Sequence, residues 1–193
     1  MSPKFIIQRI INIILNPAKT WEAIYSENRQ VKVTRYYIVL PLTLLVAVSA
    51  SIGSYVFTHS QLSVVYSVVS GIKYLILLLI VIYLTSVIFN EITSALDLGK
   101  NFSISFTIIA YSIIPFLLCL VVSLIFESLF FINVLALYGL YIFWIGAEKM
   151  LNPPDHKKMP MLIAVFICVT GLYITIYWVL TKLADRIYFA FLT

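Results

Sequence analysis

Five apolar stretches, Tyr36 to Thr58, Gly71 to Thr93, Phe102 to Phe126, Leu129 to Ala147 and Met159 to Thr181, fill most of this chain, and nearly all charged residues lie between or outside them. Each is close to the ~20 residues that a helix rising ~1.5 Å per residue needs to cross a ~30 Å hydrocarbon core. An open strand in lipid would leave backbone donors and acceptors unpaired, and the period-two alternation of a membrane barrel is absent. The expected fold class is therefore all-α, an integral membrane bundle of five transmembrane helices. The chain is 11% charged, well under the roughly 25% of soluble domains, and 193 residues leave no room beside five spans for a soluble catalytic domain of ordinary size.

The flanking charges give the spans a direction. With the N-terminus inside, Lys4, Arg9, Lys19, Arg29, Lys32, Arg35, Lys100, Lys149, Lys157 and Lys158 are all cytoplasmic, ten of the thirteen basic residues; Lys73, Lys182 and Arg186 fall outside. The positive-inside rule then places the C-terminus on the far side of a cytoplasmic (inner) membrane. Trp144 and Trp178 fit the aromatic belts near opposite ends of their spans. The net charge of +5 flanks apolar spans rather than forming a stripe with aromatics, which points to anionic lipid and away from nucleic acid.

Three regions follow: residues 1–35, residues 36–181 as the bundle, and residues 182–193 as a short extracytoplasmic tail. Lys4 ahead of an apolar run resembles a signal peptide, but Gln8, Arg9 and Asn12 interrupt the run and no small-residue cleavage site follows, so the segment is expected to be retained. Pro3 to Leu15 carries Lys4, Gln8 and Asn12 at helical spacing, a narrow polar face on a helix too short to span. It is expected to lie in the cytoplasmic interface with its basic groups towards anionic lipid. Asn16-Pro17 reads as a cap and first-turn proline opening a second short helix through Trp21 and Ile24. Membrane anchoring and docking of a partner both fit this region.

Between the spans, the His59 to Ser70 loop has no acidic or basic residue and can extend the second helix outward, with Lys73 snorkelling. Glu127-Ser128 reads as a tight outer hairpin, Asn152-Pro153-Pro154-Asp155 as a turn, and Pro160 as a first-turn proline of the last helix.

Polar residues within the spans are the candidates for function. Tyr83, Ser86, Asn90, Ser94 and Asp97 recur at steps of three and four in the second span, if its helix runs that far; Ser103, Thr107 and Tyr111 do so in the third. Tyr141, Trp144 and Glu148 share a face of the fourth, opposite Gly139 and Gly146. All three stripes fall in the cytoplasmic half, and polar groups at membrane depth usually face the interior or a wet cavity. A candidate polar cavity would thus be built from Tyr83, Asn90, Glu91, Asp97, Thr107, Tyr111, Tyr141 and Glu148. The alternative is that Glu91 and Glu148 sit at headgroup level, pair with Lys100 or Lys149, and anchor helix ends. Pro115 should kink the third helix and free the carbonyl of Tyr111, and Gly139 with Gly146 reads as a close-packing seam.

Enzyme motifs are absent: there is no P-loop, GxGxxG, GxSxG or HExxH. His59 and His156 fall on opposite sides of the membrane, Cys119 and Cys168 read as packing residues, and no cofactor or metal site is expected.

Ala110-Tyr111-Ser112-Ile113-Ile114-Pro115 resembles the G-Y-x-x-x-P motif in the third span of the Yip1 domain family, with alanine in the glycine position. Leu98-Gly99-Lys100-Asn101-Phe102-Ser103 resembles the run entering that span, and Leu140 to Gly146 the tyrosine-rich fourth span. Pro153-Pro154 with Lys157-Lys158 resembles the linker before the fifth. Pro17-x3-Trp21-x2-Ile24 is similar to the entry element of compact bacterial members. The resemblance covers nearly the whole chain and implies a five-span membrane protein of the bacterial short form. Eukaryotic members associate with Rab-type GTPases and with one another, but their D-L-Y-G-P motif and long cytosolic N-terminal region have no counterpart here, so GTPase binding is not carried over. The expected function is a non-enzymatic membrane-organising or partner-binding scaffold, in contact with lipids and with other membrane proteins or copies of itself through small-residue helix faces. The alternative is a small transporter or channel using the inner polar cavity.

Overall fold

The computed structural model describes residues 3–27, 31–57 and 63–190, the side chains at 31, 32, 63, 3, 4 and 188–190 excepted. His59, Arg29 and Thr58 therefore lie outside the described residues, as do the side chains of Lys4, Lys32 and Ser63. Among the described residues no strand forms, and five helices are long and apolar enough to cross a membrane: Arg35–Phe57, Val64–Ala95, Phe102–Ile125, Glu127–Leu151 and Asp155–Ile187. Two short helices precede them, α1 (Pro3–Leu15) and α2 (Pro17–Glu27), each opened by a proline whose missing donor costs nothing in a first turn.

The first crossing starts with the short α3 (Val31–Thr34), widens into a π-helical turn over Arg35–Val39, and continues as α4 (Leu40–Phe57). Pro41 explains the widening. It cannot donate to the carbonyl four residues back, and the Leu40 N–H reaches the Arg35 carbonyl instead, which makes room for the ring. The second crossing, α5 (Ser63–Ala95), has 33 residues, or ~50 Å of helix against ~30 Å of hydrocarbon, so the helix does extend through residues 63–70.

The third crossing is two helices, α6 (Phe102–Ser112) and α7 (Ile114–Ile125), separated at Ile113 by the bend that Pro115 imposes. The Asn101 side chain caps α6, accepting from the amides of Ser103 at 3.0 Å and Ile104 at 3.3 Å. This crossing is the centre of the bundle: 61% of its apolar window is buried, against 11% for the last crossing. Ile108, Ile114 and Leu117 are buried with Leu78, Val81 and Phe89 of α5.

The fourth crossing departs from the expected single helix. Glu127–Leu137 is 3-10 helical and only Tyr138–Leu151 is α-helical (α8). Phe130-Phe131-Ile132-Asn133-Val134 is a run of weak α-formers, and the Asn133 amide donates to the Phe130 carbonyl at 2.9 Å, a local bond that competes with the α pattern. The narrower helix rises ~2 Å per residue rather than ~1.5 Å, which lengthens this crossing. α8 ends at Asn152 with φ 45°, the left-handed conformation that asparagine tolerates, and Pro153 blocks continuation.

The last helix, α9 (Asp155–Ala190), has 36 residues. It begins earlier than expected, which puts Pro160 at its sixth position rather than in its first turn, and it continues through most of the expected tail. α4 and α9 both pack on α5, α4 also packs on α7, and α8 packs on α6.

Candidate functional site

The third and fourth crossings meet α2, and Trp21 makes the join. Pro17, Thr20, Trp21 and Ile24 form the buried face of α2. The Trp21 indole is fully buried, donates to the Ile142 carbonyl at 3.0 Å and meets the Tyr111 ring edge-on at 5.6 Å. It fits because position 146 is glycine: a Cβ there would lie 2.5 Å from the indole. Two further bonds tie the same region to α8, Tyr138 hydroxyl to the Ile14 carbonyl and Lys149 ammonium to Glu22, both at 2.8 Å.

The hydrogen bond and charge of Lys149 hold the Glu22 carboxyl below its ordinary value of 4.5. A lowered folded-state value means that this tie contributes above the ordinary pKa and is lost as pH falls through the folded one. The pair is exposed, so its contribution is small. The difference in α2 protection between wild type and Glu22→Gln, read by hydrogen exchange, should be present at neutral pH and be lost as the medium is acidified through the lowered pKa of Glu22, below its ordinary 4.5.

In α1 the structure differs from the expectation of basic groups turned to lipid. Arg9 is buried, ion-paired to Glu27 of α2, with its guanidinium 5.0 Å from the Phe5 ring. Burial is affordable for this cation only because the carboxylate reaches it. The exposed side of α1 carries Ile7, Ile11 and Leu15 at four-residue steps, an apolar ridge suited to the bilayer interface.

Beside Trp21, a cavity of about 480 Å³ opens between α2, α3 and α6, lined by Tyr25, Ser26, Glu27, Thr34, Ser103, Thr107, Tyr111 and Met150 among others. Thr107 back-bonds to the Ser103 carbonyl at 2.7 Å, and both Thr107 and Tyr111 are largely buried. The third-span stripe is thus gathered on one wall. Its walls carry hydroxyls and one carboxylate, with no imidazole or thiol. Among the described residues no group of three His, Cys, Asp or Glu side chains can hold a metal.

The other sequence candidates stand elsewhere. Asn90 is buried against α6, accepting from the Ser105 hydroxyl at 3.4 Å, with Ser86 buried beside it. Tyr83 is exposed, 5.7 Å from the Phe102 ring, and the Arg35 guanidinium lies 6.0 Å from its own ring. Glu91 bonds Lys100 at 2.8 Å and Glu148 bonds Lys158 at 2.9 Å, both at exposed helix ends. Asp97 lies beyond the end of α5 with φ 57° and faces Lys157 at 3.8 Å. Tyr141 is exposed on the face of α8 opposite Gly139 and Gly146, which are buried.

Pro115 stands at the bend, and the Ile113 amide reaches the carbonyls of both Ile109 and Tyr111. Gly139 lets α8 approach the Ser112 carbonyl just before the bend, where a Cβ would stand 2.4 Å away. The residues missed from sequence are Trp21 as a bundle residue, Glu27, Thr34 and Met150. The signal for Trp21 was present: Pro17, Thr20, Trp21 and Ile24 recur at steps of three, one and three, one face of a helix.

Compared with known proteins, the chain matches the model of the Yip1 domain over residues 11–181. No curated protein and no solved structure matches it.

Proposed function

Because the chain belongs to the Yip1 domain family and is a multi-pass membrane protein, we propose that it works as a non-enzymatic scaffold of the cytoplasmic membrane, with α1, α2 and the adjoining cavity as its partner-binding and membrane-organising surface on the cytoplasmic side. One observation carries this reading: Trp21 locks an amphipathic element to the bundle while the Ile7, Ile11 and Leu15 ridge stays exposed. A helix meant only to anchor would not need a fully buried indole joining two crossings. The ion pairs of Glu91 and Glu148 with lysines support the same reading, since they neutralise carboxylates that a conduction path would use.

Transport is the competing function, and the open cavity along Thr107 and Tyr111 is what favours it. A photocrosslinker at Ile11 in native membranes should capture defined membrane-protein partners, and the adducts should disappear in Trp21→Ala although the bundle remains folded. Solute or ion flux in proteoliposomes that Tyr111→Phe and Thr107→Val abolish, with no such adducts, would replace the scaffold by a transporter.

A further inference from the structure

A groove of about 270 Å³ runs between the bent third crossing, the 3-10 stretch with α8, and α9. Its walls are almost wholly apolar, with Ile109, Phe116, Phe143, Val169 and Tyr173 among them, and exposed Leu137 and Phe166 mark its opening. The groove exists because α9 rests mainly on α5 and touches α8 only lightly. It lies within segments long and apolar enough to cross a membrane, where the surrounding medium is acyl chain.

The groove leads to a cation. Tyr173, on its wall, stacks on Tyr177 with ring centres 6.0 Å apart, and the Lys73 ammonium lies 4.8 Å from the Tyr177 ring and 5.3 Å from that of Tyr74. Among the described residues Lys73 forms no ion pair, whereas Lys100, Lys149, Lys157 and Lys158 each have a carboxylate. Counted along α5 from its Ala95 end, Lys73 stands ~33 Å away, about one hydrocarbon thickness, which places its ammonium at the headgroups of the far leaflet.

A cation lacking a carboxylate, mounted on tyrosine rings at headgroup depth, calls for a phosphate. An apolar groove descending from it calls for a hydrocarbon chain. We propose that this is a phospholipid site of the leaflet opposite α1 and α2, with the lipid phosphate on Lys73 and one acyl chain along Tyr173, Phe116 and Val169. A second protein chain would satisfy the groove but would have to bring its own anion to Lys73; one phospholipid supplies both groups.

Native mass spectrometry of the full chain, titrated with dioleoyl phosphatidylglycerol or with dioleoylglycerol, which lacks the phosphate, tests the site. Wild type should prefer the phospholipid. Lys73→Gln should weaken its binding about fivefold and erase the preference, Lys73→Arg should retain it, and Lys182→Gln should leave it unchanged. Val169→Trp should weaken both lipids by filling the groove, and Thr170→Trp repeats this from the next position should the first variant lose its helical circular dichroism. The site is overturned if Lys73→Gln binds like wild type, if Lys182→Gln has as large an effect, or if folded groove-filling variants shift a monomer–dimer equilibrium while lipid binding stays unchanged.

Discussion

Trp21→Ala should release α1 and α2 from the bundle while the five crossings stay assembled. The indole is fully buried, and its removal takes away the bond to Ile142, the edge contact with Tyr111 and the filling of the hollow above Gly146. Truncating a buried tryptophan costs ~3–5 kcal/mol, and here the cost falls on docking, because the indole is the largest buried side chain of α1 and α2, and what remains is the packing of Ile13 and Ile24, the Tyr138 bond and the exposed Glu22 pair. The detached population should then rise by about two to three and a half orders of magnitude. Limited trypsin digestion in lipid nanodiscs should show it as accelerated cleavage after Lys19, with helical circular dichroism of the bundle retained. Trp21→Phe should fall between, since it keeps an apolar ring and leaves the Ile142 carbonyl only without its extra donor. If Trp21→Ala is cut no faster than wild type, the indole is not what holds the element.

The crossings were legible because lipid permits little else: a ~20-residue apolar run has one stable way to satisfy its backbone. Local punctuation was legible as well. Pro115 bends the third crossing, and Asn152 with Pro153 ends α8. The 3-10 form of the first half of the fourth crossing was not, since apolarity does not distinguish a 3-10 from an α-helix and the Asn133 bond to the Phe130 carbonyl is one side chain's choice.

The candidate site shows a second limit. Periodicity says which residues share a face but not what that face meets. Ser103, Thr107 and Tyr111 turned to a cavity, while the stripe of the second crossing divided, Asn90 to a packed contact and Tyr83 to an exposed one. Trp21 escaped for the same reason. Its face on α2 was readable, but that the face would pack on α8 depends on Gly146, 125 residues along the chain.

Glycines make the packing testable, because they look alike in sequence and the structure assigns them opposite consequences. A Cβ at Gly53 would stand 1.9 Å from the Leu124 carbonyl oxygen, and that oxygen, held in the α7 backbone, cannot rotate aside. Gly53→Ala must therefore push α4 off α7, at a cost of about 2–3 kcal/mol, the upper part of the usual range for overpacking. Close approach of this kind is what small residues provide between membrane helices, where apolar burial gives no net drive. At Gly171, within α9, nothing lies within 4 Å of the added methyl. Gly171→Ala should stabilise by ~0.5–1 kcal/mol, the backbone entropy that a helical glycine forfeits. Gly99 also has open space, but its φ of 90° makes alanine there strained in spite of the room. Detergent-denaturation midpoints of the two variants beside wild type would then move in opposite directions. Equal midpoints, or a stabilised Gly53→Ala, would mean that α4 and α7 do not meet as closely as Gly53 implies.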